Sequence, residues 1–371
     1  VEVIHVSKFY FPEKGGMETV VKDLVEEAIT KGVFVSVHAF SSLKEECELD
    51  YEVNRFYARY VVSSMPLSFR YIFSMKNFKR SVIHIHAPNP LACLGLFLVD
   101  RSLPVVITHH ADMVGKGLLK KLIFPFVRYA YNRADAVIAT SNNYAHSSEE
   151  LRPYLSKIQV IPLGTNVPIR DAGGKKLISF GRKKVVLAMG RLVEYKGFRY
   201  LIDVARLCPD IEFRFVGDGP EMSTLSTMAK NLNNVVLLGR VTEEEKNIEL
   251  DNADLFCLPS TTRAEAFGVV LLEALAKGLP IVTTEIGSGN SFVNVHGLTG
   301  FNVPPGNVLA LKEAIVGVLS NSSQYQKMSE NAINRYEVLF TRNKMSEAYI
   351  ELYKSCKARR DGGGGIGALS V

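Results

Sequence analysis

Arg263-Ala-Glu265-Ala-Phe267-Gly268-Val269-Val-Leu-Leu-Glu273-Ala follows the apolar run Leu255-Phe-Cys-Leu-Pro259-Ser. The apolar run reads as a strand leaving a core, the polar residues as a loop, and the apolar pattern after Gly268 as a helix. The two carboxylates therefore stand in different surroundings. Glu265 precedes the first regular turn, where backbone N–H groups lack intrahelical partners and the helix end carries partial positive charge. Glu273 lies inside the helix, five residues after Gly268. Such a helix end favours an anion such as a diphosphate. With one there, Glu265 would flank its reacting end and Glu273 could accept hydrogen bonds from hydroxyls such as those of a ribose. An isolated pair of glutamates is more often part of an ordinary amphipathic helix, so the surrounding sequence has to decide.

With 371 residues the chain is too long for one ordinary core and suits two domains. A composition of 47% hydrophobic and 22% charged residues excludes wholesale disorder. The net charge of +6 is too mild for the dense basic stripe of a nucleic-acid binder, and no nucleic-acid partner is expected. Five scattered cysteines, never spaced Cys-x-x-Cys, suit reduced thiols and offer neither a zinc site nor a disulfide framework. The longest apolar run, Leu91 to Val99, has nine residues, well short of a membrane span. Val1 onward reads as a strand rather than a signal peptide. The expectation is a cytoplasmic protein, soluble or attached to the inner face of a membrane.

Strand and helix patterns alternate twice along the chain. A strand over Val1 to Val6 opens into Gly15-Gly16 before a helical pattern from Thr19 to Lys31. From the residues alone, a tight turn and a ligand loop fit Gly15-Gly16 equally well. Gly-x-Gly-x-x-Gly is missing after this strand and no Walker motif appears, which argues against a nicotinamide-dependent oxidoreductase. Further strands are expected over 33–40, 81–86, 104–108 and 135–141, with helices over 91–100 and 142–156 and a less regular stretch over 51–80. The strand ending at Thr108 delivers His109 and His110 at its carboxyl end, where parallel sheets place ligands. Adjacent residues on a strand point opposite ways, so at most one of them faces a site. Gly115 to Arg133 interleaves Lys116, Lys120, Lys121 and Arg128 with apolar residues, and Pro125 predicts two helical pieces. This surface fits an anionic membrane interface and a core-packed helix equally.

The second alternation begins with a strand over 184–189 that runs into Gly190-Arg191-Leu-Val-Glu-Tyr-Lys196-Gly197. Two cations five residues apart, on a loop that starts a helix, can hold two oxygens of a diphosphate and neutralise charge developing there. Gly217-Asp-Gly is a turn that places backbone near a ligand, and Thr242 after Gly239-Arg240 is a helix cap. A helix over 331–357 and a glycine-rich flexible tail close the chain.

Glu265-x7-Glu273, in its Pro-Ser…Arg-Ala-Glu-Ala-Phe-Gly-Val-Val-Leu-Leu-Glu-Ala setting, resembles the donor-site motif of the retaining GT-B glycosyltransferases of family 4. Gly190-Arg191-Leu…Lys196-Gly197 resembles the segment that family members pair with it, and the resemblance covers nearly the whole chain. It implies an α/β GT-B fold: two doubly wound Rossmann-like domains with a cleft between them. Residues 1–166 would bind the acceptor, 167–183 form the linker, and 184–338 bind the nucleotide sugar. A helix over 339–358 would cross back to the first domain, leaving 359–371 as a tail. The resemblance implies Glu265, His110, Arg191 and Lys196 as catalytic residues, with His110 reaching the donor sugar through the Thr108-x-His110-x-Asp112 spacing. It implies donor binding by Gly15, Gly16, Gly217, Arg240, Phe267, Gly268, Val269 and Glu273, with the nucleobase near Arg240 and the ribose on Glu273.

No Asp-x-Asp pair appears, so no metal site and no cofactor are expected, and the cations and helix end would carry the diphosphate. Many relatives have an acidic residue where this chain has Gly287-Ser-Gly289-Asn-Ser-Phe-Val-Asn294, wording similar to an O-antigen and exopolysaccharide mannosyl- and rhamnosyltransferase subgroup. The implied reaction moves a hexose, first guess from GDP-mannose, to a glycan or lipid-linked saccharide. The alternatives are a non-catalytic sugar-nucleotide-binding subunit and an epimerase or phosphorylase of similar fold.

Overall fold

The structure is a computed structural model that describes residues 1–13, 15–41, 48–58, 60–62, 65–113, 118–169 and 182–362. In chain order it begins β1 (Glu2–Phe9), α1 (Gly16–Thr30), β2 (Phe34–Ser41), β3 (Glu52–Tyr57), a hairpin of β4 (Tyr60–Val62) and β5 (Met65–Leu67), and α2 (Phe69–Ser74). There follow β6 (Val82–Ala87), α3 (Pro90–Gly95), β7 (Val105–His109), α4 (Leu118–Arg133), β8 (Ala136–Ala139), α5 (Asn142–Ser147) and β9 (Ile158–Val160). The second alternation comprises β10 (Lys184–Met189), α6 (Phe198–Leu207), β11 (Ile211–Val216), α7 (Met222–Ala229), β12 (Val235–Gly239), α8 (Glu243–Asn252) and β13 (Leu255–Leu258). It continues through α9 (Val269–Ala276), β14 (Ile281–Thr284), α10 (Asn290–Val293), β15 (Gly300–Val303), α11 (Val308–Ser320), α12 (Ser322–Leu339) and α13 (Arg342–Asp361).

Two compact units result. One comprises residues 1–140, 148–164 and 342–371, the other residues 141–147 and 165–341. The first holds a seven-stranded sheet in the order β3-β2-β1-β6-β7-β8-β9, the second a six-stranded sheet in the order β12-β11-β10-β13-β14-β15. Every pairing in both is parallel. In each, the order reverses beside the first strand, the winding of Rossmann-like domains, and strand carboxyl ends at such a reversal are where ligands collect.

Burial explains the strand choice. Every residue of β6, β7, β8, β13 and β14 is buried, as expected of parallel strands covered on both faces. Helix α1 buries Val20, Val21, Leu24, Val25 and Ala28, a single stripe at helical spacing. At Gly300 an added Cβ would lie 1.7 Å from the Ile281 carbonyl oxygen, so β15 can approach β14 only with glycine there. Helix α13 belongs to the first unit, where Arg342 pairs with Glu27 at 2.8 Å and Arg360 with Asp135 at 2.8 Å.

Several expectations change. Pro125 sits inside one continuous α4 rather than dividing two helices. It removes the one N–H that would bond the Lys121 carbonyl, and since both residues are exposed, water can satisfy that group. The helix expected over 142–156 is α5 followed by a separate 3-10 turn, Arg152–Lys157. The helix expected over 331–357 is two, α12 and α13, broken at Phe340 and Thr341, and α13 runs to Asp361, past the expected start of the tail. The irregular stretch over 51–80 contains β3, the hairpin and α2. Most of the expected linker (170–181), the end of the tail (363–371), Cys47 and Lys116 lie outside the described residues.

Candidate active site

The second unit assembles its charged residues at the carboxyl ends of β10 and β13. After β10 the chain turns at Gly190, whose φ of +140° and bond to the Val216 carbonyl (3.0 Å) tie it to the end of β11. A short 3-10 turn, Glu194–Lys196, then brings the Lys196 side chain back over Gly190, where an added Cβ would lie 3.2 Å from Nζ. Gly197, at φ +70°, lets α6 begin against the Pro259 carbonyl, 2.1 Å from where a Cβ would stand. The Tyr195 carbonyl accepts from the Thr261 N–H at 2.7 Å, so the loops after β10 and β13 are stitched together. Burial and the Glu265 carboxylate push the Tyr195 phenol up.

Glu265 lies on the β13 loop, three residues before Gly268, and forms an ion pair with Lys196. Each residue is only 8% exposed. Ser260 Oγ donates to Glu265 Oε2 at 3.4 Å. Gly268 caps α9 in the left-handed region, φ +74°, so glycine is needed where the loop turns into the helix. Glu265 thus sits ahead of the N-terminal turn of α9, with a buried ammonium beside it. Val269, the first residue of α9, is half-buried, and Arg191 is exposed. Arg240 is exposed as well and meets Asp218 at 3.8 Å.

Two residues expected to bind a ligand also have plain structural duties. The Phe267 ring is 3% exposed and packs with Phe292 and Phe340, with centroids 6.4 and 6.2 Å away. An added Cβ on Gly217 would lie 1.9 Å from the Gly190 carbonyl oxygen, so the packing of the two loops already demands that glycine. Sequence reading missed Lys246 of α8, whose Nζ meets Glu273 Oε1 at 3.1 Å. These residues are 27 apart in sequence, and only the sheet order brings their helices together. Arg263 holds the α5 segment to the second unit: it donates to the Ser147 carbonyl at 2.5 Å and lies over the Tyr144 ring.

His110, Gly15 and Gly16 belong to the first unit. His110 follows β7, its N–H bonded to the Ala87 carbonyl at 2.9 Å and its Nε2 3.0 Å from His86 Nδ1. Burial, with a smaller contribution from His109, pushes His110 down to about 3. His109 turns to Tyr131 (2.6 Å) and Asp112 (3.1 Å), and Asp112 also accepts from Ser148. Gly15 is extended, at φ −175°, and precedes α1 with no conformational demand for glycine; Gly15 and Gly16 are both exposed. On α4, Lys121, Leu122, Phe124, Phe126 and Arg128 are exposed, while Lys120 pairs with Glu150 at 2.7 Å. No described helix is long and apolar enough to cross a membrane.

Family models for glycosyl transferases group 1 and for glycosyltransferase family 4 match residues 170–335 and 14–167. The chain is 31% identical to O-antigen chain mannosyltransferase C of Escherichia coli, over 95% of this chain and 98% of the relative. It is 32% identical to D-rhamnosyltransferase WbpZ of Pseudomonas aeruginosa, over 92% of each. Among solved structures it resembles sucrose-phosphate synthase from Thermosynechococcus elongatus, with a TM-score of 0.75 and 19% identity over 96% of this chain and 100% of the other. Anabaena HepE in complex with UDP gives a TM-score of 0.74 and 20% identity over the same shares. With two Rossmann-like domains in the GT-B pattern and full-length relatives above 30% identity, the chain belongs to the group 1 glycosyltransferases of family 4 and is a hexosyltransferase.

Proposed function

We infer that this hexosyltransferase moves a hexose from a nucleoside-diphosphate donor to a glycan or lipid-linked saccharide in cell-surface polysaccharide or glycolipid synthesis, retaining the anomeric configuration and using no divalent ion. The observation that carries the reading is the buried Lys196–Glu265 pair set ahead of the α9 N-terminus. An ammonium and a helix N-terminus at one place favour a diphosphate, and they favour it most when it leaves with its full charge. Arg191, exposed on the same loop as Lys196, supplies a second cation. These cations, and the lack of any Asp-x-Asp pair, support a metal-free departure.

In this reading Glu265 and His110 contact the donor sugar, and Glu273, oriented by Lys246, takes the ribose hydroxyls. The bond from the anomeric carbon to the phosphate oxygen breaks as the acceptor oxygen bonds to the same face. The acceptor's proton passes to the departing phosphate oxygen. GDP-mannose is the first donor to test, a choice supported by the mannosyl- and rhamnosyltransferase relatives. The exposed Lys121, Arg128, Leu122, Phe124 and Phe126 of α4 support a peripheral position on an anionic inner membrane face.

The test is donor binding and slow donor hydrolysis across GDP-mannose, UDP-glucose, UDP-galactose, UDP-N-acetylglucosamine and dTDP-rhamnose, with and without EDTA. Selective turnover that resists EDTA and disappears in Lys196→Ala and Glu265→Ala is expected. Binding of no nucleotide sugar would overturn the reading.

A further inference from the structure

Four imidazoles line one face of the first sheet beneath α13. Strand pairing places them: His5 of β1 pairs with His84 of β6, and His86 with Thr108 of β7. Side chains alternate along a strand, so His84 and His86 share a face, as do Thr108 and His110. The layer divides into two hydrogen-bonded chains. One runs from Tyr353 to His84 (2.7 Å), Thr108 (2.7 Å) and Tyr349 (2.8 Å). The other contains imidazoles only: His5 Nδ1 lies 3.0 Å from His86 Nε2, and His86 Nδ1 lies 3.0 Å from His110 Nε2.

His5, His84 and His86 offer ring nitrogens within 4.8 Å of one another, a spacing a metal ion could use. Both nitrogens of His84 are already hydrogen-bonded, to Tyr353 and Thr108, and a nitrogen so engaged is not also a metal ligand. Hydrogen bonding accounts for the cluster.

Counting protons gives the imidazole chain a direction. Burial keeps its rings neutral: His5 and His110 are pushed down to about 3, and His86 falls well below its usual range. A neutral imidazole has one N–H and one bare nitrogen, so His86 donates to one neighbour and accepts from the other. If the protons point from His110 toward His5, the last N–H is His5 Nε2, which is buried with no hydrogen-bond partner. If they point the other way, His5 Nε2 is a bare lone pair. The remaining N–H is then His110 Nδ1, on the one ring of the three that keeps 8% exposure. Buried N–H groups without an acceptor are the rarer defect, which selects the second direction.

We propose that His5 and His86 are positioning residues that fix His110 as the Nδ1–H tautomer, so that it offers a hydrogen-bond donor to an oxygen of the bound sugar and not a proton acceptor. The sugar contact rests on the reading of His110 given under Proposed function; the tautomer does not.

The test uses the full chain labelled with 15N-histidine, free of ligand, and reads each ring's tautomer from two-bond 1H–15N correlations assigned by single substitutions. His110 is expected to be protonated at Nδ1 and bare at Nε2. His86→Phe removes the donor to His110 Nε2, so the fixed tautomer should be lost and kcat/KM with a nucleotide sugar should fall about tenfold. His86→Asn places an amide N–H near the lost Nδ1 and should restore both. If the Phe variant does not fold by circular dichroism, the wild-type spectrum and the Asn variant still decide. Protonation of His110 at Nε2, or a stoichiometric metal held by these rings, would overturn the proposal. If the tautomer is as expected but His110→Ala leaves turnover unchanged, the sugar contact falls and the tautomer assignment stands.

Discussion

The first unit places a hydrogen-bonded polar layer under α13, with His5, His84, His86, Thr108, Tyr349 and Tyr353 all within 1% of full burial, whereas the second unit fills its interior with Val186, Ala188, Phe213, Phe215, Leu255, Cys257 and Val282. The two sheets share a strand order and differ in where polar groups sit. In the second unit the buried Lys196–Glu265 pair lies on the loops at the strand carboxyl ends, away from this apolar cluster. Burying polar side chains unpaired costs several kcal/mol, roughly. A buried polar layer survives when each member has a partner, and it then fixes side-chain orientation more narrowly than apolar packing does.

Acid should separate the two units most. His5, His84, His86 and His110, together with His38, pushed down to about 4, are held neutral by burial in the first unit. Their folded values lie below the unfolded value of 6.5, so between 6.5 and the depressed values the unfolded chain binds protons that the folded chain does not. The stability they contribute is complete above pH 6.5 and is lost as pH falls toward 3, at up to about 1.4 kcal/mol per pH unit for each histidine. Hydrogen exchange followed by mass spectrometry from pH 7 to 4 should show the first unit losing protection before the second; equal loss in both would break the comparison.

Lys196→Ala should lower turnover of the preferred donor by roughly 10²- to 10³-fold, the scale for losing one donor to a developing oxyanion. Glu265→Ala leaves a buried ammonium alone and should also destabilise by about 3 kcal/mol, whereas the double variant should regain part of that loss. Urea titration beside donor kinetics separates the two effects.

Tyr353→Phe removes one end of the His84 chain and should cost about 1–3 kcal/mol in urea unfolding, because a buried imidazole nitrogen loses its partner. A neutral result would mean that the polar layer contributes no more than apolar packing would.

The smallest effect belongs to the surface of α4. Lys121→Glu and Arg128→Glu should each weaken flotation with anionic vesicles by about 1 kcal/mol and leave neutral vesicles unaffected. Lys120 is the poorer target because Glu150 already holds it. Equal flotation of wild type and variants would remove the membrane from the reading.

Much of this was legible in the sequence. Apolar runs such as Leu255–Leu258 and Ile281–Thr284 announce buried parallel strands, because a strand covered on both faces has no polar positions. Gly268 and the residues after it announce the start of α9, and Glu265, Glu273, Arg191 and Lys196 stand in motifs whose spacing is local. Length and composition set two domains and excluded a membrane-spanning helix of ordinary length.

Other features came only with the tertiary structure. The direct pairing of Lys196 with Glu265, the Lys246 contact to Glu273 and the imidazole chain from His5 to His110 join residues from separate strands and helices. Nothing in a linear pattern records which helix lies beside which, because crossover connections leave sequence neighbours apart and sheet order makes distant residues adjacent. The division of residues 331–357 into α12 and α13 was decided the same way. Phe340 leaves the helix to pack on Phe267 and Phe292, and the N–H of Thr165 bonds its carbonyl at 2.9 Å, contacts that local helical propensity cannot foresee.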